Sequence, residues 1–270
     1  MSEFKWQLIF LAFVFFYQNN TEVQSAPIQR IVNGFQAIPK QFPYQVLLNR
    51  QTDTEWEPFC GGAIISKRII LTAAHCIEDN LNEIKIYFGA VERSNIKEPG
   101  QQHLLVQRNN IVVHPEWERR QKINDIALIK LPADLQFDEY IQPANLPDPN
   151  QSYENQTGVV SGWGDTSDQD PPSEQLLYFD TPILSNEDCK PIVHKYHPNI
   201  FFPSSWICIE PSKSCTCGGD SGGPLVIWSE VANSTLVGLT SFAMAGECTV
   251  NSPDVFTRVS SFLPWIKKYK

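Results

Sequence analysis

Positive charge is in short supply in this sequence. Lys and Arg number 21 against 30 Asp and Glu, a formal net charge of −9. Duplex nucleic acid wants a basic surface, so that partner class is excluded. Long apolar runs are scarce too. The run Leu8-Ile9-Phe10-Leu11-Ala12-Phe13-Val14-Phe15-Phe16, behind Lys5, is too short to span a bilayer. It fits the apolar core of a secretory signal, expected over 1–25 with cleavage between Tyr17 and Ala26. No later stretch suits a membrane helix, so no membrane partner is expected. Strand–helix alternation is missing, which disfavours a doubly wound parallel sheet. No phosphate loop, nucleotide motif or metal cluster is evident, so no cofactor and no metal are expected.

What is present is a β pattern. Tyr44–Leu48, Gly62–Ile65, Ile69–Thr72, Ile84–Phe88 and Gln102–Val106 are short runs rich in apolar residues and broken by turns. β-Branched and aromatic residues at this spacing predict antiparallel strands in a barrel or sandwich. The Pro-, Asp- and Asn-rich stretch Pro132–Gln156 reads as a connector between two halves. A second β set follows at Gly158–Gly164, Leu176–Ile183, Leu236–Phe242 and Val255–Val259. Ser185–Cys189 reads as a capped helical turn, and Val259–Lys270 as an amphipathic helix.

Seven cysteines behind a secretory signal suggest disulfides, and the odd count leaves at least one outside an intramolecular bond. Asn150, Asn155 and Asn233 open N-x-S/T sequons, which mark surface and candidate glycan sites. Asn19 opens another, inside the expected leader.

Three stretches carry chemistry. Cys217-Gly218-Gly219-Asp220-Ser221-Gly222-Gly223-Pro224 sets one hydroxyl among four glycines. Such a loop can aim several backbone N–H groups at one point, as acyl transfer requires. Leu71-Thr72-Ala73-Ala74-His75-Cys76 places a histidine after an apolar strand, and Asn124-Asp125-Ile126-Ala127 opens a strand with a carboxylate. Each alone has a plain structural reading: a turn, a packed histidine, a turn aspartate. Together they supply a nucleophile, a base with an ordinary pKa near 6.5, and a group to orient that base. A basic residue before Ile-Val-x-Gly, at Arg30-Ile31-Val32-Asn33-Gly34, adds a processing site for a trypsin-like protease.

With these motifs the sequence resembles the chymotrypsin-like (trypsin-fold) serine endopeptidases over Ile31–Lys270. Gly162-Trp163-Gly164 and Pro264-Trp265-Ile266 resemble further landmarks of that family. The resemblance implies an all-β fold of two six-stranded antiparallel β-barrels with a C-terminal α-helix. It implies a short propeptide at 26–30 and a protease domain at 31–270, with halves at roughly 31–145 and 146–270. His75 would be the general base, Asp125 its orienter and Ser221 the nucleophile, with the N–H groups of Gly219 and Ser221 as oxyanion hole. Ser241 would support the aspartate. Cutting after Arg30 would free the Ile31 amine to pair with Asp220. The implied disulfides are Cys60–Cys76, Cys189–Cys208 and Cys217–Cys248. Cys215 is left over, as a buried thiol or an irregular partner for a neighbouring cysteine. The loop Gly89–Gly100 lacks the carboxylate pattern of the calcium-binding trypsins, although it holds Glu92 and Glu98.

The same resemblance puts Cys215, Thr216, Ser241, Ala243 and Asp254 at the primary substrate pocket. Cys215 stands where trypsins have an aspartate. Asp254 with a small residue at the base resembles the brachyurins, the arthropod collagenase-like serine proteases. That implies broad specificity for basic and large apolar residues. The expectation is a secreted, monomeric digestive peptidase made as a zymogen. Its partners would be polypeptide substrates, an activating trypsin-like protease and protein protease inhibitors. Two other readings stand beside it: a non-catalytic binding or cascade protein on the same fold, and a narrow regulatory or venom protease.

Overall fold

The structure is a computed structural model that describes residues 34–77, 81–167, 169–228, 234–243, 248 and 251–270. In chain order the strands are β1 (Phe35–Gln36), β2 (Gln45–Gln51), β3 (Trp56–Ile64), β4 (Ile69–Thr72), β5 (Glu83–Phe88), β6 (Gln102–Gln107), β7 (Ile111–Val113) and β8 (Ala127–Lys130). After the connector come β9 (Thr157–Gly162), β10 (Leu177–Pro182), helix α1 (Asn186–Tyr196), β11 (Trp206–Cys208), β12 (Pro224–Ile227), β13 (Thr235–Ala243), β14 (Asp254–Arg258) and helix α2 (Leu263–Ile266).

They form two antiparallel sheets, each a half-barrel. One runs β6-β5-β2-β3-β4-β8-β7 and the other β1-β10-β9-β12-β13-β14-β11. Each counts seven strands where six are expected. The additions are short: β7 has three residues and β1 two. β1 also crosses the expected division of the halves, because Phe35 pairs with Tyr178 of β10 in the second sheet. The leading segment thus straps the first half to the second.

The burial pattern follows from sequence period. In β5 every second side chain is buried, Ile84, Ile86 and Phe88, as expected for a strand with one face on a core. β4 is apolar apart from Thr72 and buried throughout. Five apolar clusters result among the described residues, of which three matter most for the site. Val46, Ile64, Ile70 and Phe88 fill the first half, and Val160, Phe179, Leu225 and Phe256 the second. The third cluster lies between them, where Leu71 and Leu128 meet Val226, Leu239, Trp265 and Ile266.

Both expected helical segments are present, with lengths that differ from expectation. The turn at Ser185 continues into the 11-residue α1, in which Ser185 caps the helix by accepting from Asp188 N at 3.0 Å. Pro191 inside it removes one backbone bond, a cost of about 3 kcal/mol. The disulfide at Cys189 and the burial of Cys189 and Val193 hold the helix in place against that cost. At the other end, the C-terminal helix is present but shorter than Val259–Lys270: a 3₁₀ turn, Val259–Phe262, leads into the four α residues of α2. Pro264 is tolerated because it occupies the first turn.

Leu128 is fully buried in the seam cluster and Ile38 is 67% exposed. Leu128→Ala is expected to lower unfolding free energy by about 2–5 kcal/mol, and Ile38→Ala by less than about 0.5 kcal/mol. Urea titrations of the two variants check this.

Candidate active site

Asp125, just ahead of β8, is fully buried. Its Oδ1 accepts from His75 N at 2.9 Å. Its Oδ2 accepts from His75 Nδ1 at 2.7 Å and from Ser241 Oγ at 2.5 Å. Its backbone carbonyl accepts from Thr257 Oγ1 at 2.7 Å. An ionised carboxylate only accepts, so the bond at Nδ1 places that ring proton there and leaves the Nε2 lone pair for other work. His75 sits in a 3₁₀ turn after β4, and the bond between Cys60 and Cys76 pins that turn to β3.

Ser221 is held by both sheets. Its carbonyl accepts from Gly61 N of β3 at 2.8 Å, while the next residue, Gly222, donates to Thr240 O of β13 at 2.8 Å. Gly222 has φ +73°, and a Cβ there would lie 2.9 Å from Ala73 N and 2.9 Å from Gly61 O. Gly219 has φ +93°. Among the described residues, the N–H groups of Gly219 and Ser221 donate to no protein acceptor. His75 and Ser221 stand together at the rim of two cavities, of about 320 Å³ and 400 Å³.

Two further carboxylates are buried nearby. Asp220 accepts from Gly164 N at 2.8 Å and Cys217 N at 3.0 Å. Burial pushes it up to about 7 against these two bonds, with no cation beside it among the described residues. Gly162 is a glycine for a packing reason, since a Cβ would lie 3.0 Å from the Asp220 carboxyl carbon. Asp254 is fully buried, accepts from Thr216 N at 2.6 Å through Oδ2, and among the described residues leaves Oδ1 unpartnered. Burial raises it to about 6, opposed by its bonds from Thr216.

Of the residues expected at the pocket, Thr216, Ser241 and Ala243 line the 320 Å³ cavity. Cys215 and Asp254 are buried and absent from that lining; Asp254 reaches it through Thr216. Cys217, Gly218, Thr240, Phe242 and Lys122 line it as well. Lys122 escapes a reading by motif, because only the course of its loop brings it there. Arg50, Glu57, Phe59 and Asp165 at the second cavity escape for the same reason. The disulfide pairs are Cys60–Cys76, Cys189–Cys208 and Cys217–Cys248, and Cys215 lies outside them. Arg30 and Ile31 lie outside the described residues, as do Asn19 and Asn233. The Glu98 carboxylate in the Gly89–Gly100 loop turns inward, accepting from Val91 N at 2.8 Å, Glu92 N at 3.1 Å and Gln101 Nε2 at 3.1 Å.

A buried carboxylate, a histidine and a serine at one cleft between two antiparallel half-barrels define a serine hydrolase of the chymotrypsin fold. Comparison with known proteins agrees. The trypsin family model matches residues 31–266. Serine protease 1 of Drosophila melanogaster is 37% identical over 243 residues, covering 88% of this chain and 84% of that one. Collagenase of Hypoderma lineatum is 32% identical, covering 88% and 86%. A solved structure of HL collagenase superposes with a TM-score of 0.73 at 32% identity, covering 87% of this chain and 96% of that one. The chain belongs to the trypsin family of serine proteases, and polypeptides are its substrates. No helix among the described residues is long and apolar enough to cross a membrane.

A carboxyl raised by burial binds more protons folded than unfolded between its two pKa values, so stability falls as pH rises through that window. For the full chain, stability is therefore expected to fall from about pH 4 to about pH 7, where Asp220 and Asp254 ionise. Asp220→Asn should flatten that slope; chemical denaturation at a series of pH values reads it.

Proposed function

We propose that this protease is a secreted digestive endopeptidase made as a zymogen, with Ser221, His75 and Asp125 as its catalytic triad. One observation carries the reading. A fully buried Asp125 holds His75 through two bonds at the cleft that also holds Ser221. Ser221 Oγ attacks the scissile carbonyl carbon while Nε2 of His75 takes its proton. The resulting oxyanion is met by the N–H groups of Gly219 and Ser221. His75 then returns the proton to the departing amine, leaving an acyl-enzyme. A water activated by the same histidine hydrolyses that ester. Asp125 keeps the tautomer and stabilises the imidazolium.

Activation follows cleavage between Arg30 and Ile31. The new amine of Ile31 pairs with Asp220, a carboxylate that is buried without a cation among the described residues. The leader at 1–25, the propeptide at 26–30 and the protease domain at 31–270 belong to this reading. So do glycans at the exposed Asn150 and Asn155. The pocket takes large apolar residues against Phe242 and Ala243. It takes basic residues through the charge of the Asp254 carboxylate, which is bonded to Thr216 of the cavity wall and which burial raises to about 6. The presence of Ser221, His75, Asp125 and the oxyanion glycine Gly219 in one chain disfavours a non-catalytic binding role. A narrow regulatory or venom role would show as few cleavage sites.

The test is a cleavage map of denatured proteins, using chain cut after Arg30. Cuts after basic and large apolar residues, abolished by Ser221→Ala, are expected. Asp125→Asn should lower kcat by about 10⁴ through the wrong tautomer. Asp254→Asn should lower cleavage after Lys and Arg about tenfold relative to Leu and Phe, as loss of roughly 1.4 kcal/mol would. Absence of cuts from a chain with a verified Ile31 terminus would favour the binding role.

A further inference from the structure

We propose that Arg93 is a positioning residue for the loop that meets the oxyanion, acting from the opposite half of the molecule through two backbone carbonyls. The proposal rests on the peptidase reading above. Arg93 lies in the first half, between β5 and β6. Its Nε donates to Ser173 O at 2.9 Å and its Nη2 to Pro172 O at 3.1 Å, both between β9 and β10 of the second half. Nη2 also pairs with Glu174 Oε1 at 2.6 Å, but that carboxylate is largely exposed. An exposed partner adds little by charge, so the two carbonyl bonds define the contact. A planar guanidinium reaches two neighbouring acceptors at once, where an ammonium is a single point of charge.

From there the contacts lead inward in two short steps. Ser173 N donates to Trp163 O at 2.9 Å and to Gly164 O at 3.2 Å. Gly164 and Asp165 lie directly against the loop that carries Gly219. Asp165 N donates to Gly218 O at 2.6 Å, and a Cβ on Gly219 would lie 3.1 Å from Gly164 Cα. Residues 163–165 are therefore packed between the segment that Arg93 grips and the loop whose N–H groups face substrate. Pro172 and Asp165 line the 400 Å³ cavity together with Gly218, Gly219 and Ser221.

Arg93 is itself held in place. Glu98 folds back across the same loop, and its carboxylate accepts from Val91 N and Glu92 N. Arg93 N donates to Glu174 O at 3.0 Å, Leu176 N to Val91 O at 2.7 Å and Trp163 Nε1 to Val91 O at 3.0 Å. The contacts thus start at a fixed carboxylate in the first half and end at Gly218 and Gly219 in the second. Deleting one oxyanion donor costs about 10²- to 10³-fold in kcat, so misaiming one by loss of this support is expected to cost about tenfold.

The experiment uses full-length protein cut after Arg30, as wild type, Arg93→Ala, Arg93→Lys and Arg68→Ala, the last removing an exposed ion pair with Asp134. Each is assayed on a peptide amide for kcat and KM. Each is also titrated with a peptidyl trifluoromethyl ketone, to whose carbonyl carbon Ser221 Oγ adds while His75 takes the proton, leaving an oxyanion. Arg93→Ala should lower kcat about tenfold and weaken the ketone about tenfold, with KM within about twofold of wild type. Arg93→Lys should fall between, and Arg68→Ala should match wild type. KM and the ketone's inhibition constant do not depend on the folded fraction, so a partly unfolded preparation cannot imitate this result. An Arg93→Ala form that binds the ketone as wild type does overturns the proposal and leaves the peptidase reading intact. An equal weakening in Arg68→Ala does the same. No hydrolysis by wild type overturns both.

Discussion

One buried carboxylate governs how this molecule closes. Asp125 sits at the seam between the two half-barrels with none of its surface exposed. Taking a charge out of water costs several kcal/mol unless donors replace the lost solvent. Here the donors come from both sides. His75 supplies two from the first half; Ser241, on β13, supplies one from the second. Thr257, on β14, adds a bond to the Asp125 carbonyl. The charge is satisfied only when the halves are docked, so the requirement that orients the histidine also fixes the seam. Other bonds run the same way, from Ser161 to Gln45 and from Trp163 to the Val91 carbonyl.

The serine loop obeys a related constraint. It is stitched to β3 through Gly61 and to β13 through Thr240, and it must turn sharply where the first sheet presses against it. The glycines at 219 and 222 meet that demand through positive φ, and Gly162 and Gly164 meet it by yielding space to the Asp220 carboxyl. Asp220 and Asp254, both raised by burial, make this end of the molecule electrostatically expensive near neutral pH. A cation delivered to either carboxylate would relieve that cost. In the proposed account, activation delivers one to Asp220 and a basic substrate residue delivers one to Asp254.

Much of this was legible in the sequence where chemistry or period constrains residue type. The alternation of β5 reads directly as a strand, and a histidine, an aspartate and a glycine-flanked serine are a small set of residues able to do one job. Elements whose local signals conflict with their tertiary setting were not legible. β3 starts at Trp56, but Pro58, Gly61 and Gly62 disguise its length. α1 extends past Pro191 because a disulfide and a buried face override local propensity. β1 joins the far sheet through pairing that no two-residue stretch could announce. At the site, residue type places Asp254 near the pocket without disclosing that the Thr216 N–H stands between it and the cavity. Lys122 is invisible for a similar reason: its position depends on a left-handed turn and on a bond from Trp206, 84 residues further along the chain.

The central claim is that a histidine held by Asp125 activates Ser221, and covalent labelling tests it most directly. Chain cut after Arg30 would be treated with a fluorophosphonate, in wild-type and His75→Ala forms, and followed by intact mass and peptide mapping. The account predicts one adduct per chain, on Ser221, formed at least about a hundredfold more slowly without the imidazole. An adduct on another residue, or labelling of Ser221 at the same rate in both forms, would contradict it.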